Sequence, residues 1–222
     1  MKTHQIRKAV GAIMATGAIA AATLGQAGPA AATTSTEGSE LGTTSLAEVL
    51  TSDGNQFDHN RYDYDIVTEA VLAVLAAKPE SPVGLLTDGT VPLTAFIPND
   101  FSFKVLAKDL TGQWPHSEQA AFEAIAGAVG IDAIETVLLY HVVPGATIDS
   151  AAALAADGVA LTTAQGGTFT VKVLNPSAPF VRLIDNDPSD RNPFLAPRKL
   201  DINKGNAQIA HGIWFVLRPI DL

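Results

Sequence analysis

Between Ile131 and Gly145 the chain changes its hydrophobic period, and that change limits the folds open to it. Ile134, Val137, Leu138 and His141 recur at helical spacing, whereas Leu138-Leu139-Tyr140-His141-Val142-Val143 runs on as an apolar stretch that stops at Pro144-Gly145. A helix thus feeds directly into a short strand. Helical patterns dominate before this point, and alternating runs separated by turns follow it. The chain is therefore expected to be α+β, with helices of the N-terminal half packed against strands of the C-terminal half.

Ahead of this domain, Lys2, Arg7 and Lys8 precede an alanine-rich apolar run from Ala9 to Leu24, the pattern of a secretory signal peptide. The run is shorter than the ~20 residues of a membrane span, and no cysteine follows it to carry a lipid anchor. We expect residues 1–32 to be a cleaved signal peptide, residues 33–44 a flexible polar linker, and residues 45–222 one domain. No membrane insertion is expected after cleavage. Without the leader, the 14 basic residues fall to 11 against 23 acidic ones, a balance that favours solubility and opposes nucleic-acid binding. A chain free of cysteine has no disulfide staple and depends on burial, and about 180 residues can bury roughly 70% of their unfolded surface.

Taken in order, Ser45 caps a short helix carrying Leu46, Val49 and Leu50, broken at Asp53-Gly54. A polar loop from Asp58 to Asp65 leads into a helix over 66–77, followed by a Pro/Gly-rich loop to Pro92. Leu93–Ile97 reads as a strand ended by Pro98. Asn99 or Asp100 caps a helix with Phe101, Val105 and Leu106 toward the core, which stops near Gly112. Ser117 caps another helix, Gly127 to Gly130 punctuates it, and the segment from Ile131 resumes it. Asp149 caps a small helix. A hairpin over 159–174, a strand over 180–185, a proline-rich loop over 186–193 and a final run over 213–217 complete the chain.

Three blocks together resemble the fasciclin domain family. Thr94-Ala95-Phe96-Ile97-Pro98-Asn99-Asp100-Phe101-Ser102-Phe103 is similar to that family's first block. Leu138-Leu139-Tyr140-His141-Val142-Val143-Pro144-Gly145 matches its Leu-x-Tyr-His-Val-Val-x-Gly pattern. His211-Gly212-Ile213-Trp214-Phe215-Val216-Leu217-Arg218 is similar to its last block, with His211, Phe215 and Arg218 in place of the usual Asn, His and Asp. The motif positions carried over are Thr94, Phe96, Pro98, Asp100, Phe103, Leu139, Tyr140, His141, Gly145 and Gly212. The resemblance implies a β-sandwich or wedge with helices at its edge, exported and used in adhesion. The Asp-Ile pair linked to integrin contact in animal members falls at Asn206-Ala207 and is missing.

Tyr140-His141 is the sharpest pair. As a partner-binding edge, the phenol and imidazole would contact a ligand. As a corner, His141 would donate to a helix-end carbonyl while Tyr140 packs and its hydroxyl finds a polar group; the corner is the more economical reading. The loop 185–190 alternates oxygen side chains, as calcium loops do, but has neither the glycine nor the terminal glutamate of an EF-hand. Asp58, Asp63 and Asp65 read as helix caps. No cofactor and no metal are expected. The chain has no Gly-x-Ser-x-Gly, no His-Glu-x-x-His and no phosphate-binding glycine loop. Trp114, Trp214 and the tyrosines are too scattered in sequence to suggest a sugar-stacking platform. The function expected is a secreted, monomeric, non-enzymatic adhesion or interaction module that binds a cell-surface or matrix protein or glycan. The alternatives are a secreted carbohydrate-active hydrolase and a small-ligand binder.

Overall fold

The helices begin where a side-chain oxygen is placed to accept an N–H of the first turn. In the computed structural model, which describes residues 40–52, 54, 56–178 and 180–221, four caps read from the sequence make that bond. Ser45 Oγ accepts from Glu48 N at 3.1 Å to start α1 (Leu46–Leu50), and Asn99 Oδ1 accepts from Ser102 N at 3.0 Å to start α3 (Asp100–Thr111). Ser117 Oγ accepts from Ala120 N at 3.0 Å at the start of α4 (Glu118–Tyr140), and Asp149 Oδ1 from Ala152 N at 2.9 Å at the start of α5 (Ser150–Ala155). The remaining helix, α2 (Asp65–Ala77), has no side-chain cap of its own. Gly112, at φ 74°, closes α3. Gly130, at φ 77° and ψ 171°, interrupts α4, so two helices meet there at a kink.

Seven strands form one hydrogen-bonded sheet: β1 (Leu93–Pro98), β2 (Val142–Pro144), β3 (Ala160–Thr162), β4 (Thr168–Asn175), β5 (Phe180–Ile184), β6 (Phe194–Leu195) and β7 (Gln208–Trp214). Their spatial order is β2-β1-β7-β6-β5-β4-β3. The pairings are antiparallel except β1 with β7, where Thr94 lies opposite Ile209 and Phe96 opposite His211. The two ends of the order approach each other, since Ala164 N–H donates to Val142 O at 2.7 Å and Gln165 N–H to Leu139 O at 3.2 Å. The sheet is therefore rolled nearly closed.

Strand alternation divides the core in two. Leu93, Ala95 and Ile97 of β1 face a helical layer containing Ile66, Val74, Leu106 and Leu138. Phe96 faces the opposite way, into the roll, with Tyr140, Phe169, Leu183 and Ile213. Phe96 stacks edge-on against Phe169 at 5.2 Å. Burying a side chain of that size contributes roughly 3 kcal/mol.

Several expectations are revised. The strands make one rolled sheet rather than two packed layers, because β6 and β7 join the hairpin strands to β1. The final run expected over 213–217 is displaced: its strand, β7, starts at Gln208 and ends at Trp214, and Phe215 takes φ 72°. The Pro/Gly-rich loop contains a 3-10 helix over Pro82–Thr87. In α3 the buried apolar positions are Phe103, Leu106 and Ala107, while Phe101 and Val105 are only partly covered. The expected linker reached Thr44, yet its end is pinned: Gly42 N–H donates to Gly205 O at 2.8 Å, and Asn203 Nδ2 donates to Thr44 O at 2.8 Å. The expected signal peptide, linker residues 33–39 and Asp53 lie outside the described residues.

Candidate functional site

The Tyr140 hydroxyl donates to Thr168 O at 2.6 Å, and its ring packs edge-on against Phe169. His141 Nε2 accepts the Leu217 N–H at 3.0 Å, so Nδ1 carries the proton and donates to Val137 O at 2.7 Å. With exposures of 0% and 5%, neither side chain offers a face to a partner. Their geometry is that of a corner, not of a recognition edge. Burial pushes the His141 pKa down to about 4, which keeps the ring neutral.

The other motif positions are likewise internal. Thr94 Oγ1 donates to Ala146 O at 2.7 Å and accepts from Ile148 N at 2.8 Å. Phe96, Pro98 and Phe103 are buried, and Leu139 is half-buried. Asp100 Oδ1 accepts the Ile66 N–H at 2.9 Å, so it serves the first turn of α2 from another segment. Gly145, at φ 78°, donates its N–H to Pro92 O at 2.8 Å. A Cβ on Gly212 would collide with the Tyr64 hydroxyl and lie 2.7 Å from Lys199 Cβ. In the last block, His211 accepts the Asp201 N–H at Nδ1 (3.2 Å) and donates from Nε2 to Ile148 O (2.8 Å).

Arg218 accounts for the acidic loop considered for calcium. Its Nη2 lies 2.8 Å from Asp109 Oδ2, its Nε 2.8 Å from Asp190 Oδ2 and its Nη1 3.5 Å from Asp187 Oδ2, while Asp185 Oδ2 accepts its backbone N–H at 2.9 Å. The guanidinium already occupies the centre of the loop's oxygen groups. Burial pushes Asp185 and Asp190 up to about 6. Asp58, Asp63 and Asp65 gather with Asp100 and Glu118 where α2, α3 and α4 begin. Burial, with Asp63 alongside, pushes Asp100 up to about 9.

What lies at the surface is an aromatic ridge. Tyr62 meets Trp214 edge-on at 5.8 Å, Trp214 meets Phe101 at 6.4 Å, and Phe101 meets Trp114 at 6.0 Å. The Arg61 guanidinium lies over Tyr62 at 5.0 Å and over Phe101 at 5.4 Å. Tyr62 and Trp114 remain 45% and 48% exposed, unusual for rings of that size. Two grooves flank the ridge. One, of about 620 Å³, is lined by Tyr62, Tyr64, Trp214, Asn99, Arg198 and Lys199. The other, of about 520 Å³, includes Phe101, Trp114, Arg191, Phe215, Asp109 and Asp190. Both carboxylates named in the second groove are engaged by Arg218.

Reasoning from sequence missed this ridge, because its members come from the 58–65 loop, α3, the loop before α4 and the end of β7. One signal was available. Phe101 and Phe103 are two positions apart on a helix, so only one of them can face the core.

No protein-family model and no curated protein matches the chain. Among solved structures it is similar to a FAS1 domain pair from the insect cell adhesion molecule fasciclin I, with a TM-score of 0.53 at 14% identity. The likeness covers 80% of this chain and 51% of that one, so the chain spans about half the length of that structure. At that identity the likeness establishes a fasciclin-like fold.

Proposed function

We propose that this chain is an exported, non-enzymatic adhesion module that binds an acidic glycan of the cell surface or matrix through the aromatic ridge. The observation that carries the reading is the contiguous row Tyr62, Trp214, Phe101 and Trp114, kept at the surface with Arg61 across it. Pyranose rings present apolar C–H faces that pack on aromatic faces, and exposed apolar patches of this kind mark binding sites. On a protein of net charge −9, Arg198 and Lys199 in the lining of one groove, with Arg61 over the ring of Tyr62 that also lines it, favour carboxylated over neutral sugars. The fold's occurrence in a cell adhesion molecule supports the same class. The Tyr140-His141 pair is assigned to the architecture beneath.

The test is titration with hyaluronate, with dextran as the neutral control. The expected outcome is saturable hyaluronate binding that weakens with salt and falls at least tenfold in Arg198→Glu/Lys199→Glu. Equal affinity for dextran, or no effect of the charge reversal, would count against the glycan reading. Capture of a protein through a cross-linker placed at Trp114, with no glycan binding, would assign the ridge to a protein partner. A turnover assay on the same sugars distinguishes the hydrolase. The volume of the first groove also suits a small ligand. In that case a monosaccharide would bind as tightly as the polymer.

A further inference from the structure

We propose that Arg182 is a second carboxylate subsite on the same surface, so that the ligand is a linear glycan with a carboxylate on alternate sugars, laid across the strands beyond Trp214. Resting on the acidic-glycan reading of the ridge, this subsite gives the bound chain a direction over the sheet and a length.

Strand alternation sets the row. Val181 and Leu183 of β5, Leu195 of β6 and Ile213 of β7 point into the roll, so Arg182, Phe194 and Trp214 belong to its outer face. Arg182 lies opposite Phe194, and Phe194 opposite Trp214, in successive strand pairs. Two strand spacings of about 4.8 Å put the backbone of Arg182 roughly 10 Å from that of Trp214, about the span of two pyranose units. A glycan that packs on Trp214 and runs across the strands therefore brings its next-but-one sugar to Arg182.

The distribution of cations singles out this face. Among the described residues, Lys78, Lys104, Lys172, Lys204 and Arg218 pair with acids. No ion pair there involves Arg61, Lys108, Arg182, Arg191, Arg198 or Lys199, although acids outnumber bases 23 to 14 in the chain. Arg198 and Lys199 line the first groove, Lys108 and Arg191 the second, and Arg61 lies over the ridge they flank. Arg182 is the remaining one, and the row through Phe194 joins it to the others.

The surroundings of Arg182 equip it for an anion. Its guanidinium lies over the Phe194 ring at 4.8 Å, and Phe180, 47% exposed, stacks on the same ring at 5.5 Å. Aromatic support orients the planar fork, so less freedom is lost when a carboxylate binds it. The Nε atom is buried without a hydrogen-bond acceptor, and a partly desolvated cation without a counter-ion is unfavourable until an anion arrives. Lys172, opposite Arg182 on β4, adds positive charge but is held by Asp157 at 3.2 Å. Arg182 is thus the free cation of the row.

Calorimetric titration of the full chain with hyaluronate tetrasaccharide and octasaccharide tests the proposal. We expect the octasaccharide to bind at least tenfold more tightly than the tetrasaccharide. Arg182→Gln should abolish that gain and leave the tetrasaccharide affinity unchanged. Phe180→Glu, at an exposed position, sets a negative charge beside the subsite and should abolish the gain as well; it decides alone if Arg182→Gln does not fold, as judged by circular dichroism. Equal affinity for the two lengths in the wild-type chain, or a gain that survives in the folded variants, would overturn the subsite and leave the ridge reading standing. Binding of neither length would overturn both.

Discussion

His141 concentrates the consequences of a single side chain. It satisfies Val137 O at the end of α4 and the Leu217 N–H beyond β7, and removing it leaves a cavity and two buried backbone groups without partners. We expect His141→Ala to lower stability by about 3 kcal/mol, read from the denaturant midpoint. Because burial holds the folded pKa near 4, below the ordinary value of 6.5, the unfolded chain takes up the proton first on acidification. The contribution is whole above pH 6.5 and lost between pH 6.5 and 4, on the order of 3 kcal/mol. Asp185 and Asp190, raised to about 6, act with the opposite sign, gaining stability as pH falls. They are common to both proteins, so the gap between wild type and variant should narrow toward pH 4. At Gly212, where a side chain has no room beside Tyr64 and Lys199, Gly212→Ala should cost roughly 2 kcal/mol, checked by thermal unfolding. Residue identity at Tyr140-His141 was legible from sequence because a helix end needs donors. The role of Gly212 was not, since it depends on Tyr64, which is remote in sequence.

Among the elements, Gln208 shows how a strand residue organises segments that share no pattern with it. It is 0% exposed; its Oε1 accepts the Leu46 N–H at 2.8 Å, and its Nε2 donates to Leu85 O and Asp88 O, each at 2.7 Å. One amide thus holds both α1 and the 3-10 helix over Pro82–Thr87 against β7. Gln208→Ala should destabilise the fold by about 3 kcal/mol and speed amide exchange most over residues 46–51, measured by mass spectrometry. Helix starts were legible because Ser45, Asn99, Ser117 and Asp149 act within three residues of themselves. The helix-to-strand change at Thr136–Gly145 was legible for the same reason. The rolled sheet was not, because its closure rests on Ala164 and Gln165 reaching back to Val142 and Leu139. The expected face of α3 erred by favouring Phe101 over Phe103, and the misassigned ring belongs to the surface ridge.

Viewed as a whole molecule, the fold sets a buried, motif-bearing framework beneath a surface assembled from distant segments. The three family-like blocks supply the framework, which is why they pointed to the fold and to no chemistry. The ridge draws Arg61 and Tyr62 from a loop, Phe101 from α3, Trp114 from a turn and Trp214 from the end of β7, so no window of sequence contains it. An acidic chain that clusters cations beside exposed rings has one surface distinct in charge from its remainder, the surface proposed above to bind. The most direct measurement is the hyaluronate dissociation constant of Tyr62→Ala/Trp114→Ala set beside its denaturant midpoint. Both side chains are close to half exposed, so the account predicts binding weakened by at least about 30-fold, the effect of losing an anchor worth ~2 kcal/mol, with a midpoint equal to that of the wild type. Undiminished binding, or a loss of affinity that tracks unfolding, would contradict it.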